Sequence, residues 1–183
     1  DIMIGGMGND VFYVENQNDE TVEVGGQGTD RVVATANYQL QAGQSIEQIQ
    51  ANTGTAAINV TGNELINLLM GNAGNNTLNG GAGDDTARGG GGIDRLIGGL
   101  GVDVLQGDTG NDIFVLANLQ TSRDRIVDFV SGADTLEIDS ALFGGGLAAG
   151  SLAANQFVVN TTGNAGDADD HFIYNSNSGY LYY

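Results

Sequence analysis

Acidic and amide side chains recur in the middle of the chain at intervals of nine residues. The series consists of Asn67, Asn76, Asp85, Asp94, Asp103 and Asp112. If the chain coils so that residues 18 apart lie above one another, these side chains form two columns, with stacked strands about 4.8 Å apart. Carboxylates at that spacing repel each other unless a cation lies between them. A hard cation that takes about six to eight oxygen ligands at roughly 2.3–2.6 Å suits such a donor set.

The columns belong to a repeat. Residues 62–115 divide without remainder into six nonapeptides of the pattern G-G-x-G-x-D-x-U-x, in which U is an apolar residue. Position 8 holds Leu69, Leu78, Ala87, Leu96, Leu105 and Phe114. Each copy predicts a glycine-rich turn followed by a strand too short to be stable alone, so the copies must stack to bury position 8. A flexible glycine- and aspartate-rich linker would not keep this register.

This run resembles the RTX (hemolysin-type) calcium-binding parallel β-roll. In that family the ion lies between two stacked turns. One turn supplies the carbonyls of positions 1 and 3, the other supplies those of positions 2 and 4, and each adds its position-6 side chain. The resemblance implies as carbonyl donors Gly71, Ala73, Gly80, Ala82, Gly89, Gly90, Gly91, Gly92, Gly99, Gly101, Asp108 and Gly110.

The implied sites differ in charge. The two with aspartate in both turns, Asp94 with Asp112 and Asp85 with Asp103, are expected to be the strongest. Asn67 and Asn76 lack the negative charge, and Leu65 stands where position 4 of the repeat has glycine. We therefore expect the site between residues 62–67 and 80–85 to be weak or empty.

Two further nonapeptides lie near the N terminus, at residues 5–13 and 25–33. Their position-6 residues are Asp10 and Asp30. We predict that these two turns stack and hold a calcium ion between the two aspartates. The carbonyl donors expected for it are Gly5, Met7, Gly26 and Gly28.

The remaining sequence predicts strands without the repeat. Residues 34–61 keep apolar pairs such as Tyr38 and Leu40 but lose the acidic pattern, which indicates metal-free coils that join two calcium-binding segments. Residues 123–139 predict two strands and a turn, and they resemble the segment that closes the β-roll in serralysin-type secreted proteins. That resemblance implies that Asp124, Asp128 and Asp134 contact a last calcium ion; the alternative is that these residues lie on an exposed hairpin.

The C-terminal region is expected to close the solenoid. Residues 151–155 favour one helical turn, and residues 157–160, 171–175 and 179–183 favour strands, the last two paired as a hairpin. We therefore predict an all-β, right-handed parallel β-roll or β-helix solenoid with a C-terminal β cap. Its regions are 1–33 (calcium-binding coils), 34–61 (metal-free coils), 62–115 (nonapeptide roll) and 116–183 (capping region).

Composition limits the possible partners. The 183 residues contain 23 Asp and Glu, five Arg and no Lys, for a formal net charge of −18. This charge argues against nucleic acid and anionic membranes as partners and favours cations. The sequence has no Cys, and no apolar run approaches the length of a membrane span. With one His and neither an H-E-x-x-H nor a G-x-S-x-G motif, we expect no catalytic activity.

The resemblance implies a calcium-dependent folding module of a larger secreted bacterial protein. The chain starts in the middle of a repeat, so we expect it to be a fragment. Its partners would be several Ca²⁺ ions and the type I secretion machinery, and its location extracellular or at the cell surface. Two alternatives stay open: a calcium-dependent assembly segment of a surface-layer, filament or adhesin protein, with self-association or binding to cell-surface polysaccharide, and the C-terminal tail of a secreted hydrolase or epimerase.

Overall fold

The structure, a computed structural model, describes residues 1–23, 25, 28–116, 124–138, 157–162, 164, 172–175, 177–178 and 180–182. Every regular element in this part of the chain is a β-strand. The strands are β1 (Ile2–Ile4), β2 (Val11–Val14), β3 (Glu20–Val22), β4 (Arg31–Ala34), β5 (Tyr38–Gln39), β6 (Gln48–Ala51), β7 (Val60–Thr61), β8 (Leu68–Met70), β9 (Thr77–Ala82), β10 (Thr86–Gly91), β11 (Arg95–Leu100), β12 (Val104–Thr109), β13 (Ile113–Leu116), β14 (Arg125–Ile126), β15 (Thr135–Ile138), β16 (Phe157–Asn160), β17 (Phe172–Asn175) and β18 (Tyr180–Tyr182).

Successive strands alternate between two faces of a solenoid. From β4 to β15, even-numbered strands join one sheet and odd-numbered strands join another, and all of these neighbours pair in parallel. In the repeats the register is 18 residues, as in the pairs Ala87 with Leu105 and Leu78 with Leu96. The prediction of an all-β parallel β-roll is therefore confirmed.

The core is one cluster of apolar side chains that both sheets contribute and that packs between them. Leu69, Leu78, Leu96, Leu105 and Phe114 are each fully buried, as position 8 of the nonapeptide predicts. Because every second strand residue points inward, each repeat strand places its position-8 side chain in the interior. Strands β9 to β12 are longer than the sequence suggests, since each continues into the first residues of the next repeat.

The first strands of the chain belong to two different sheets. Strand β1 pairs with β3 alone, while β2 joins the large sheet beside β4. A buried polar cluster lies between β3 and β5, where the Thr21 hydroxyl lies 2.9 Å from both the Tyr38 hydroxyl and Gln44 Oε1. These side chains satisfy one another at the position where the second sheet is interrupted.

Parallel stacking continues beyond residue 115. Strand β14 pairs with β12 and β15 pairs with β13, so residues 125–138 add a further coil. The two strands predicted here are present, but they lie in opposite sheets and do not form the hairpin considered as an alternative. Strands β17 and β18 do form the predicted hairpin, and β18 pairs antiparallel with β14. The predicted helical turn at 151–155 lies outside the described residues.

Candidate calcium-binding turns

The position-6 side chains form two continuous hydrogen-bonded ladders. In each step, the backbone N–H of one position-6 residue donates to the carboxylate one coil further on. One ladder runs Asn67, Asp85, Asp103, Asp124, and the other runs Asn76, Asp94, Asp112, Asp134, with N···O distances of 2.7–3.1 Å. The structure thus brings together the columns that the nine-residue spacing predicts, and it extends each by one carboxylate.

Each ladder bond uses only one oxygen of the carboxylate. The second oxygen, Oδ2, of Asp85, Asp94 and Asp103 is buried and has no hydrogen-bond partner in the described part of the chain. A buried carboxylate oxygen without a partner is costly, and buried charges in proteins are normally paired or bound to metal. These oxygens are hard, anionic and shielded from water, which is the donor type that Ca²⁺ prefers.

The electrostatics of the carboxylates lead to the same conclusion. Burial raises the pKa of Asp85 to about 7, and the nearby charges of Asp103 and Asp84 add to the shift. Burial likewise raises the pKa of Asp94 to about 6 and that of Asp124 to about 7, and it moves those of Asp103 and Asp112 upward. The metal-free fold thus penalises the charged form, and a divalent cation between the carboxylates would remove that penalty.

Glycine at position 1 makes room for the position-6 carboxylate. A side chain on Gly80, Gly89 or Gly107 would overlap the carboxylate five residues later in its own turn. At positions 2 and 4 of the same turn, Gly90 and Gly92 have φ values of 105° and 100°, which few residues with a side chain adopt. The absence of a side chain at position 1 therefore leaves room for the carboxylate directly beside the backbone of its own turn.

The predicted carbonyl donors lie in these stacked turns. Gly90 and Gly91 are aligned with Asp108 and Thr109 one coil further on, and Gly99 is aligned with Gly81. The remaining predicted donors occupy the same turns: Gly71, Ala73, Gly80, Ala82, Gly89, Gly92, Gly101 and Gly110. Asp108 has a φ of 64°, and its side chain also accepts hydrogen bonds from Arg88.

The N-terminal turns bring three carboxylates together. Ligand oxygens of Asp10, Glu23 and Asp30 all lie within 4.8 Å of one another. Asp10 donates its N–H to Asp30 Oδ1 at 2.8 Å, and Asp30 donates its own to Glu47 Oε2 at 2.8 Å, which gives a third ladder. Asp10 Oδ2 is buried and has no hydrogen-bond partner among the described residues.

Sequence reasoning missed Glu23 and Glu47. Glu23 lies 18 residues after Gly5, in the register that the position-1 glycine takes elsewhere, and Glu47 lies 17 residues after Asp30. Counting by coils of 18 residues would have found Glu23, whereas Glu47 lies one residue short of that period. Of the carbonyl donors predicted for this site, Gly5, Met7 and Gly28 lie in the paired turns, and Gly26 is outside the described residues.

Asp128 and Asp134 differ from the repeat aspartates because both oxygens of each carboxylate accept a hydrogen bond. Asp128 accepts the backbone N–H groups of Gly107 and Asp108, one on each oxygen, at 2.9 and 2.8 Å. Asp134 accepts those of Asp112 and Val130 at 2.9 and 2.7 Å. Both therefore close the last repeat turn through backbone amides, while each oxygen keeps a lone pair for a cation.

Comparisons with known proteins agree with this geometry. The family model of the RTX calcium-binding nonapeptide repeat matches the chain in four copies, over residues 1–20, 61–96 and 88–117. No curated protein and no solved structure gives a significant match. Among the described residues there is no helix long and apolar enough to cross a membrane.

Proposed function

We propose that this chain, which carries RTX calcium-binding nonapeptide repeats, is a structural module whose acidic coils fold when calcium binds between their stacked turns. The main support is the set of buried, unpartnered Oδ2 atoms at Asp85, Asp94 and Asp103. Calcium bridging Asp85 to Asp103, and Asp94 to Asp112, would supply the missing partner for each. The Asp10, Glu23 and Asp30 carboxylates would hold another ion.

Charge makes the ion necessary for stability. The chain has a formal charge of −18, and its ladders place carboxylates one coil apart in low-dielectric surroundings. Such repulsion opposes the compact state, and the glycine-rich turns lose much conformational entropy on folding. Calcium that binds only the stacked turns adds its binding free energy to the free energy of folding.

We further propose that the chain is part of a larger secreted bacterial protein exported by the type I route. Extracellular calcium modules bind in roughly the 10⁻⁴–10⁻³ M range. A chain that needs such concentrations stays expanded in a calcium-poor cytoplasm and folds after export. The four family-model copies support this proposal, since such repeats are typical of proteins exported in this way.

Calcium titration followed by circular dichroism tests the proposal. We expect the β-sheet signal to rise as calcium reaches the millimolar range, with isothermal titration calorimetry showing several ions bound. In the variant Asp85→Asn the number of ions bound should fall. The matched control is Asp84→Asn, which removes the same charge from an exposed neighbour whose carboxylate accepts the Val102 N–H, a role that asparagine can keep.

Two results would contradict it. One is a β-sheet signal that is complete in calcium-depleted buffer and unchanged up to about 10 mM calcium, well above the range of extracellular modules. The other is equal calcium stoichiometry in Asp85→Asn and the wild-type chain.

Self-assembly is a second candidate, favoured by the outer faces of β1 and β2. Ile2, Ile4 and Tyr13 are 68%, 74% and 65% exposed there, on two strands that belong to different sheets. Sedimentation with and without calcium distinguishes the two candidates. Calcium-dependent oligomers would favour assembly, whereas a folded calcium-bound monomer would favour the folding module.

A further inference from the structure

Four asparagine side chains lie at the boundary between the metal-free coils and the first repeats. Their amide NH₂ groups donate to backbone carbonyls of the preceding coil. Asn63 Nδ2 donates to Gln41 O and Gln44 O, Asn67 Nδ2 to Ile46 O, Asn72 Nδ2 to Asn52 O and Ala56 O, and Asn76 Nδ2 to Ile58 O. The six distances lie between 2.8 and 3.1 Å.

Their hydrogen-bond partners fix the orientation of these amides. Asn67 Oδ1 accepts the N–H of Asn63, and Asn76 Oδ1 accepts the N–H of Asn72. A flipped amide would place an NH₂ group against an N–H donor and an oxygen against a carbonyl, so only one orientation satisfies both sides. Asn67 and Asn76 are 1% and 2% exposed, so water does not compete for these bonds.

The amides thus act where the acidic coils have carboxylates. In the acidic coils, the position-6 residue presents a carboxylate to the preceding coil, and its second oxygen is left without a hydrogen bond. At Asn67 and Asn76 the group facing the preceding coil is a hydrogen-bond donor, and the turn carbonyls there are already bound to it. An N–H directed at a carbonyl oxygen satisfies both groups, so Asn67 and Asn76 add no buried charge that a cation would have to neutralise.

The acidic residues of the chain are also distributed unevenly between the metal-free coils and the acidic coils. Residues 34–80 contain only two acidic residues, Glu47 and Glu64. Glu47 accepts the N–H of Asp30, and Glu64 accepts that of Gly43. The repulsion that opposes stacking in the acidic segments is therefore nearly absent from this part of the solenoid.

We propose that Asn63, Asn67, Asn72 and Asn76 replace calcium at two interfaces between coils, and that residues 37–80 are a calcium-independent core. The acidic segments on both sides of this core fold onto it as calcium rises. The inference rests on the proposed calcium-dependent folding of those segments. The inference applies only to the side of each turn that faces the preceding coil. The calcium sites predicted on the opposite side, between these turns and those of Asp85 and Asp94, are unchanged.

Amide hydrogen exchange of the full chain in calcium-depleted buffer tests the core. Leu40 and Leu68 donate to Thr61 O and Glu47 O within or beside the core, whereas Val104 and Ile113 donate in the acidic coils. We expect exchange at Leu40 and Leu68 to be at least about tenfold slower, since hydrogen exchange reports local opening.

The possible outcomes separate the two proposals. Fast exchange at all four amides without calcium and slow exchange with it would overturn the calcium-independent core and leave calcium-dependent folding intact. Equally slow exchange at all four without calcium would overturn both, because the acidic coils would then fold without the ion.

A pair of matched variants tests the role of the amides. In Asn67→Asp combined with Asn76→Asp, a carboxylate faces the carbonyls, so calcium-free exchange at Leu40 should accelerate about tenfold to a hundredfold, the range expected for a buried unsatisfied group. The control combines Asn37→Asp with Asn59→Asp, which adds the same charge to the same coils.

The control residues keep their function after substitution. Asn37 Oδ1 accepts the N–H of Asn59, and Asn59 Oδ1 accepts the N–H of Thr77, roles that a carboxylate can also fill. The control should therefore retain protection at Leu40. Equal loss in both double variants would show that added charge alone loosens these coils, and the assignment of the amides would be wrong.

Discussion

Acidification should fold the calcium-free roll. The ordinary pKa of an aspartate side chain is 3.8, and burial raises the pKa of Asp85 to about 7 and that of Asp94 to about 6. Between the unfolded and folded pKa values, the folded chain holds protons that the unfolded chain has released. The stability of the calcium-free roll therefore falls as pH rises through this window, and it is recovered as pH falls from 8 toward 5.

The size of the effect follows from the shifts. One pKa unit corresponds to 1.36 kcal/mol, so a shift from 3.8 to about 7 makes the ionised Asp85 cost the fold about 4 kcal/mol at pH 8. The shift at Asp94 corresponds to about 3 kcal/mol. Whole domains are stable by only about 5–15 kcal/mol, so two such carboxylates are enough to decide whether the acidic coils fold.

The assay is circular dichroism in calcium-depleted buffer from pH 8 to pH 5, above the isoelectric point near 4.1. The β-sheet signal should rise with a midpoint between pH 6 and 7, and sedimentation should show that the folded species is monomeric. With saturating calcium the signal should already be complete at pH 8. Because protons and calcium compete for the same carboxylates, the apparent calcium affinity should weaken below about pH 7.

A double variant identifies the groups responsible. Asp85→Asn with Asp94→Asn should reduce the pH dependence of the calcium-free signal and leave the part that comes from Asp103, Asp112 and Asp124. Asp84→Asn removes only a minor cause of the raised pKa of Asp85, so it should reduce the dependence much less. A calcium-free chain that loses β-structure on acidification, or that shows no change down to pH 5, would refute the assignment of the buried carboxylates as the groups that oppose folding.

Two further predictions concern the N-terminal site and the repeat glycines. Glu23→Gln should weaken calcium binding in the first coils about tenfold, measured by calorimetry. Carboxylate oxygens that lie within 4.8 Å of one another repel by at least about 3.5 kcal/mol at an effective dielectric constant of 20, and the ion offsets that repulsion. The exposed Glu15→Gln is its control, and equal affinities would exclude Glu23 as a ligand. Gly80→Ala should lower the stability of the calcium-bound chain by at least about 1–3 kcal/mol in thermal unfolding, because its methyl group would overlap the carboxylate of Asp85. Gly25→Ala, which meets nothing within 4 Å, should have little effect, and equal losses would contradict the packing argument.

The nonapeptide register determines most of the repeat region in advance. A period of nine with glycine at position 1 and an apolar residue at position 8 requires two strands per coil and a buried column such as Leu78 and Leu96. The pairing of residues 18 apart follows from the same period, and the observed ladders of Asp85 with Asp103 and Asp94 with Asp112 obey it.

The parts that sequence reasoning missed are those where the coil length changes. Glu47 accepts the N–H of Asp30 and lies 17 residues after it, one residue short of a regular coil. The pairing of Asp10 with Asp30, at a spacing of 20 residues, was predicted because both belong to recognisable nonapeptides. A search for strict nonapeptides does not find Glu47, because a change in turn length shifts the register while the strands stay paired. The same limit hid the coil formed by β14 and β15, which continues the stacking after the repeat pattern has ended.

One residue per half-coil decides how an interface between coils is stabilised. The backbone is nearly the same at Asn76 and at Asp94, since both follow a glycine-rich turn and both donate their N–H to the next carboxylate. Asparagine adds a donor for the preceding carbonyl, and this interface is satisfied by the chain itself. Aspartate adds a buried charge, and its interface is complete only when a proton or a cation arrives. The order of Asn and Asp along the columns therefore predicts the order of folding. Coils with asparagine are expected to be stable without calcium, and coils with aspartate are expected to become stable as the calcium concentration rises.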